Sequence, residues 1–267
     1  MPPWSAAPIP PDEQERLRRL ARLGVGEGQR HEVLDHVTAL ASRILGAPIA
    51  LVTLVEKERQ LFLSRHGLDA AFTGRRESFC GHCVASRATL RVEDADLDER
   101  FAGGPLVVGA PGVRAYLGIP LLGGPGQSAI GTLCAIDHVP RAWTRDEETQ
   151  LVHLAAVVEN NLENVSVRRA FDDSPLSTVI LDRHGRCVRI NPAFARMLGH
   201  PVASLLDKSF LSLLLPADRG VFAAMLSHTV EQRTSPTRRE LRYLKLSGEV
   251  VHGGARLAPF RDVDEQI

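Results

Sequence analysis

The chain reads as an α+β protein of two modules, each built from antiparallel, hairpin-paired strands flanked by helices, and joined by a long helix. Three observations carry this reading. Strand-period segments come in neighbouring pairs in both halves. One unusually long helical signal, from about residue 144 to 170, stands between them. The length of 267 residues also exceeds the roughly 100–200 residues of a typical domain.

The elements follow in order. Residues 1–11 are rich in proline and are expected to be disordered. "DEQERLRRLARL" from Asp12 is a short helix, acidic first and basic later, as the helix dipole favours. In "HEVLDHVTALASRIL", Leu34, Val37, Ala41 and Ile44 form one apolar helical face. "PIALVTLV" is a buried strand and "QLFLSRHG" its hairpin partner. "FCGHCVASRA" has room for two helical turns, and "ATLRVED" reads as a strand. Residues 95–113 form a long loop, and "RAYLGIPLL" and "SAIGTLCAID" are strands joined through "GGPGQ".

The long helix opens with Thr144 as N-cap and Glu147 three residues on, a capping box. Leu151, Leu154, Val158 and Val165 lie at heptad-like spacing, with Asn161 in the remaining slot. The stripe either packs on its own sheet or forms a parallel dimer seam, in which Asn161 would fix the register. Beyond it, "STVILDRHGRCVRI" is a hairpin turning at Asp182 to Gly185. Asn191 caps a short helix that starts at Pro192 and ends at Gly199. "HPVASLLDK" and "PADRGVFAAMLSHTV" are further helices, and "RRELRYLKLSGEVVHGGARLAPF" is two strands around "SG", with Arg239 and Arg242 facing solvent. No internal repeat relates the halves.

Composition excludes several classes of function. Hydrophobic residues are 44% and charged residues 24%, ordinary for a globular chain. The 32 basic and 32 acidic residues cancel, and no basic block points to nucleic acid. No apolar run approaches the ~20 residues that span a bilayer, and the N-terminus lacks the pattern of a secretory signal. Four cysteines are too few for a disulfide scaffold, so a reducing cytoplasm is the expected location.

The most chemical stretch is Cys80-Gly-His-Cys83. Structural zinc wants four ligands. This motif supplies two, with Cys134 and Cys187 isolated from each other, so zinc is disfavoured. A thiol pair at a helix start can be acidified and can form a disulfide. Against that, the stretch lacks the strand-then-helix setting of a thioredoxin-like site. The remaining reading is buried cysteine acting as a small apolar residue. Asp94, Asp96, Asp98 and Glu99 form an acidic cluster, but without the glycine and distal glutamate of a calcium loop.

Residues ~15–165 resemble a GAF domain of bacterial signalling proteins. The resemblance rests on "SFCGHCV", "VEDADLDERFAGGPLVVGAPGVRAYLGIPL" and "IGTLCAIDHVPRAWT", in that order and spacing. Residues ~170–267 resemble a PAS domain through "SPLSTVILDRHGRCVRINPAFARMLG", "LLPADR" and "RRELRYLKLSGEV". The resemblance implies modules over 12–165 and 171–267, each an antiparallel sheet with helices and a pocket between them. It implies a sensory function, with signals passed along the helix to a histidine kinase or a diguanylate cyclase or phosphodiesterase, and a homodimer through helix 144–169. It offers Phe79, Cys80, Cys83, Asp94, Asp98, Phe101, Arg114, Tyr116 and Cys134 as pocket residues of the first module, and Asn191 of the second.

The PAS-like part breaks off before the last strand expected of that family. The sequence is then either a fragment or a free-standing adaptor completed by a partner. No catalytic constellation is visible, so the chain is read as a sensor and not as an enzyme. The alternative is a thiol-redox sensor or reductase using Cys80, Cys83 and Cys134. The cofactor is unknown. "DERFAGGPLVV" has no cysteine for a covalent bilin, and the Asn-Cys-Arg motif of light-sensing flavin domains is absent. The motif of cyclic-nucleotide-binding GAF domains is not found. A haem would need an axial histidine, and His228 lies on a suitable helix but reads as a solvated or satisfied histidine; Cys187 is read as strand packing.

Overall fold

A computed structural model describes residues 4–26, 31–122, 128–232, 234 and 238–259. The "GGPGQ" connector and the end of the chain from residue 260 lie outside the described residues. The chain divides into two units, 1–167 and 168–267.

Unit 1 contains helices α1 (Glu13–Leu23), α2 (Glu32–Leu45), α3 (Phe79–Ser86) and α4 (Pro105–Val108), and the first part of α5 (Arg145–Asp172). Its strands are β1 (Ile49–Val55), β2 (Arg59–His66), β3 (Phe72–Gly74), β4 (Leu90–Val92), β5 (Ala115–Leu122) and β6 (Ala129–Asp137). They form one antiparallel sheet in the order β3-β2-β1-β6-β5-β4. Central β1 is buried at every position because both faces of the sheet are covered. Alternation sends Ala50, Val52 and Leu54 into one core, and Ile49 and Leu51 into the other.

The first core receives Leu34, Val37, Ala41 and Leu45 of α2. The sequence places Ile44 on that face, but Ile44 is 43% exposed. Leu45 takes its place in the last turn, before Gly46 closes the helix at positive φ. From α5 the same core takes Leu151, Ala155, Val158 and Leu162. The heptad-like slots Asn161 and Val165 are only half-buried. Burying one such aliphatic side chain is worth roughly 1.5–3 kcal/mol, so packing on its own sheet accounts for Leu151, Leu154 and Val158 of the stripe. The capping box forms as its residues dictate: Glu147 N–H donates to Thr144 Oγ1 (3.2 Å), and Thr144 N–H to Glu147 Oε2 (2.7 Å).

The N-terminal segment departs from the disorder its composition implies. Ser5 N–H donates to Arg100 C=O (3.0 Å), Ala7 N–H donates to Arg76 C=O (2.8 Å), and Ala7 is buried. Prolines hold such a segment extended, and its free N–H groups find partners on the unit's surface. Two further elements, β3 and α4, are too short for periodicity to reveal.

Unit 2 has β7 (Val179–Leu181), β8 (Cys187–Ile190), α6 (Pro192–Leu198), α7 (Val202–Leu205), a 3₁₀ turn (Phe210–Leu213), α8 (Pro216–Gln232), β9 (Arg239–Leu244) and β10 (Val250–Ala255). Among the described residues β7 pairs only with β8 and β9 only with β10, both antiparallel. Phe194, Phe210, Phe222 and Tyr243 fill the centre, with neighbouring ring centroids 4.5–6.2 Å apart. Arg242 does not simply face solvent. Its backbone N–H and guanidinium donate to Asp218 (2.7 and 2.6 Å) and fasten β9 to α8. Cys187 is packed in the core, and His228 meets the Thr234 hydroxyl at the surface.

Candidate functional site

The second core of unit 1 is incomplete. Between the sheet and helices α3 and α4 lies a cavity of about 350 Å³. That is at the lower end of the roughly 300–1,000 Å³ of small-molecule sites. Leu51 of β1, Phe62 of β2, Ile136 of β6 and Tyr116 of β5 form its floor, Phe79 and Cys80 of α3 one wall, and Leu106 of α4 with Val113 another. The loop Gly67–Ala70 and the β2–β3 pair Gln60 and Thr73 complete it.

The sequence of α3 explains how Cys80-Gly-His-Cys83 is used. Ser78 is fully buried and caps the helix, its Oγ accepting from Gly81 N–H at 2.9 Å. Cys80 and Cys83 both face the core, but toward different partners. Cys80 Sγ lies 3.9 Å from Cys134 Sγ and accepts from the Tyr116 hydroxyl at 3.4 Å. Cys83 Sγ donates to the carbonyls of Ala88 (3.3 Å) and Gly118 (3.5 Å). The intervening pair meets the N-terminal segment. A Cβ on Gly81 would stand 2.6 Å from Ala7 Cβ, and His82 Nε2 lies 3.2 Å from Ser5 C=O. Glycine in this helix therefore leaves room for the Ala7 methyl group.

Titration follows from this packing. Burial pushes the thiols of Cys83 and Cys134 and the Tyr116 phenol above their ordinary values. Burial also opposes a Cys80 thiolate. Hydrogen bonds converging from Cys134, Thr132, Tyr116 and Thr53 outweigh it and hold Cys80 at about 6, making it the more acidic of the sulfur pair. Burial lowers His82.

Of the residues expected in the pocket, Phe79, Cys80 and Tyr116 line it. Phe101 stacks on Phe79 at 3.9 Å from behind, and Cys83 and Cys134 are core neighbours that do not reach the cavity. Asp94, Asp98 and Arg114 stand apart on the β4–β5 connection. Arg114 grips Asp94 (2.9 and 3.0 Å) and reaches Asp96 at 3.3 Å. Asp98 binds Arg100, whose hydrogen bonds lower its carboxyl. The acidic cluster is thus neutralised by arginine, and no metal-holding group of side chains occurs among the described residues.

Asn191 belongs to unit 2 and is fully buried. Its Oδ1 accepts from Phe194 N–H (3.0 Å) and Thr178 N–H (2.9 Å), and its Nδ2 is directed at the carbonyls of Leu176, Phe171 and Ser174. Its capping role is joined by a second one, tying the end of α5 to the strand that follows.

Sequence reasoning missed Gln60 and Thr73. The available signal was strand alternation: Gln60 shares a face with Phe62, so a polar group had to enter a buried layer.

Unit 1 is thus a sheet closed on one face by helices and hollow on the other, and a second α+β unit follows it. The chain belongs to the GAF domain family, whose profile matches residues 29–162, and the PAS fold profile matches residues 171–267. Such domains are typical of signalling proteins. A cyclic di-GMP phosphodiesterase of Pseudomonas aeruginosa is 34% identical over 167 residues, 62% of this chain and 28% of the relative, so the chain spans well under half of that protein. Among solved structures, the GAF domain of an Acinetobacter phosphoenolpyruvate-protein phosphotransferase matches at 18% identity and a TM-score of 0.41, covering 58% of this chain and 93% of that one. A free methionine-R-sulfoxide reductase from Neisseria meningitidis matches at 21% and 0.42, covering 59% and 90%. The PAS domain of an HTR-like protein from Haloarcula marismortui matches at 25% and 0.34, covering 41% and 91%. No described helix is long and apolar enough to cross a membrane.

Proposed function

We propose that unit 1 is the input of a bacterial signalling protein, working in the cytoplasm. A small ligand enters the cavity and biases the packing of α5, which leads to unit 2 and to a signalling enzyme acting in cis or in trans. That enzyme is a cyclic di-GMP phosphodiesterase or cyclase, or a histidine kinase, and the sensory chain itself is not catalytic. The hollow in an otherwise filled core carries the reading. A ligand can shift an equilibrium only through differential contacts with its states, and β5, which carries Tyr116 of the wall, and its neighbour β4 are fastened to α5 and to the turn before it. Arg91 of β4 pairs with Glu148 (2.5 Å), Trp143 Nε1 donates to Val92 C=O (3.2 Å), and Leu122 N–H donates to Glu159. Dimerisation through helix 144–169 belongs to the proposal and would use its exposed side, where Val152 is 42% exposed. Sedimentation of the Val152→Glu variant tests that part.

Native mass spectrometry of the chain from its own cells tests the main reading. A retained small molecule, lost in a cavity-filling Leu106→Trp variant, is the expected result. A bare mass, together with unchanged hydrogen exchange in α5 on cavity filling, would overturn it.

The 3.9 Å Cys80–Cys134 approach supports a second reading, a thiol sensor, with Cys83 outside the pair. A hydroperoxide would take two electrons and two protons from the thiols, forming the disulfide and leaving as alcohol and water. Peroxide treatment followed by peptide mapping should find a Cys80–Cys134 cross-link. Intact free thiols would end this reading.

A further inference from the structure

The cavity's unpartnered atoms say what it takes. Gln60 is 4% exposed, yet its Oε1 has no hydrogen-bond partner among the described residues, and neither has Thr73 Oγ1. The two are register partners across β2 and β3, and both line the cavity. Leaving a buried polar atom unpaired costs about 1–3 kcal/mol, so two adjacent orphans on residues that line one hollow mark a place for a ligand group. Elsewhere on the wall the Tyr116 hydroxyl donates to Cys80, and Cys80 adjoins Cys134.

The charge of the wall narrows the class further. Among the described residues no lysine, arginine or histidine lines the cavity, and the carboxylate among them, Asp69, is exposed. An anion entering would lose its hydration without gaining a cation and would pass a like charge. The rest of the wall is aliphatic and aromatic, led by Phe62, Phe79, Leu51 and Ile136.

Resting on the proposed sensory reading, we infer that the cavity binds an uncharged molecule with an apolar, flat body. Its N–H or O–H donors would meet Gln60 Oε1 and Thr73 Oγ1. Phosphate-bearing nucleotides, cyclic dinucleotides included, are rejected. The cavity would thus sense a different chemistry from the one handled by the phosphodiesterase relative.

Ligand-observed NMR on the whole chain tests this with a defined set of probes. The set pairs neutral N–H heterocycles with their N-methylated forms and adds nucleoside monophosphates and cyclic GMP. The neutral N–H members should bind and their methylated partners should bind about tenfold more weakly, the loss of one hydrogen bond. Gln60→Leu should remove that difference. Thr73→Val should reduce it, which guards against a Gln60 variant that fails to fold. Leu106→Trp should abolish all binding. Nucleotides binding best, or methylation and Gln60→Leu making no difference, would overturn the inference on ligand class while leaving the sensory site standing. No probe binding at all would overturn both.

Discussion

The two units treat buried polar groups in opposite ways. In unit 2 the amide of Asn191 is fully enclosed and every bond it makes is structural, holding the end of α5, the approach to β7 and the start of α6. In unit 1 the amide oxygen of Gln60 is also buried and has no partner among the described residues. The centre of unit 2 is filled by four aromatic rings, while the corresponding layer of unit 1 leaves about 350 Å³ open. Burial alone therefore does not identify a site. What separates a structural amide from a binding amide is whether its hydrogen-bonding capacity is already used.

The largest effect should come from Asn191→Leu. It removes an N-cap and strands several carbonyls and N–H groups, and should destabilise unit 2 by roughly 3 kcal/mol. With two units a single melting transition is not a safe readout. Hydrogen exchange should rise across residues 171–198 and stay unchanged in β1 and β6.

Unit 1 has its own network of used capacity. Arg16 is fully buried, and Arg16 and Arg75 both bind Glu13. Burial opposes the Glu13 carboxylate, but these hydrogen bonds win and hold it at about 2, below its ordinary 4.5. A depressed carboxyl contributes stability that is fully present above about pH 4.5 and is lost as the pH falls toward 2. Glu13→Gln should cost about 2 kcal/mol at neutral pH, by leaving two arginines unneutralised. It should also flatten the acid limb of unit 1 stability, measured by denaturant midpoint against pH. An acid limb identical to the parent's would remove Glu13 from this role.

A smaller effect is expected at the helix that leaves unit 1. Thr144→Ala breaks the capping box with Glu147 and should cost about 1 kcal/mol. Faster exchange should be confined to the first turn of α5. Propagation of that change into β7 would mean the two units are more tightly coupled than this local contact implies.

Much of the architecture was legible because local chemistry and burial agree. Pro192 and Gly199 bracket α6, Thr144 and Glu147 open α5, and hairpins turn where glycine and aspartate allow. The cavity was only half legible. Phe79, Cys80 and Tyr116 were found, since they sit in the stretch that carries the family resemblance. Asp94, Asp98 and Arg114 lie in the same stretch, yet they neutralise charge on a surface connection. Gln60 and Thr73 could not be paired from sequence, because β3 has three residues and no period, and the register that joins them is tertiary. The contacts of Ser5 and Ala7 were not legible for the same reason, since their partners Arg100 and Arg76 are distant in the chain.

The smallest expected effect has the opposite sign and tests the opening contrast most directly. Gln60→Leu is the same chemical change as Asn191→Leu, an amide replaced by an aliphatic chain at a buried position. At Gln60 it removes an unpaired acceptor and adds apolar contact with Phe62 and its neighbours on the cavity wall. Without added ligand, unit 1 should therefore gain about 0.5–1 kcal/mol, seen as a higher denaturant midpoint with an unchanged slope. A residue kept against stability is one whose use lies elsewhere, here in an interaction that the protein alone does not complete. A loss of stability at Gln60 comparable to that at Asn191 would show its amide to be structural after all. The two units would then differ in shape but not in how they use buried polarity.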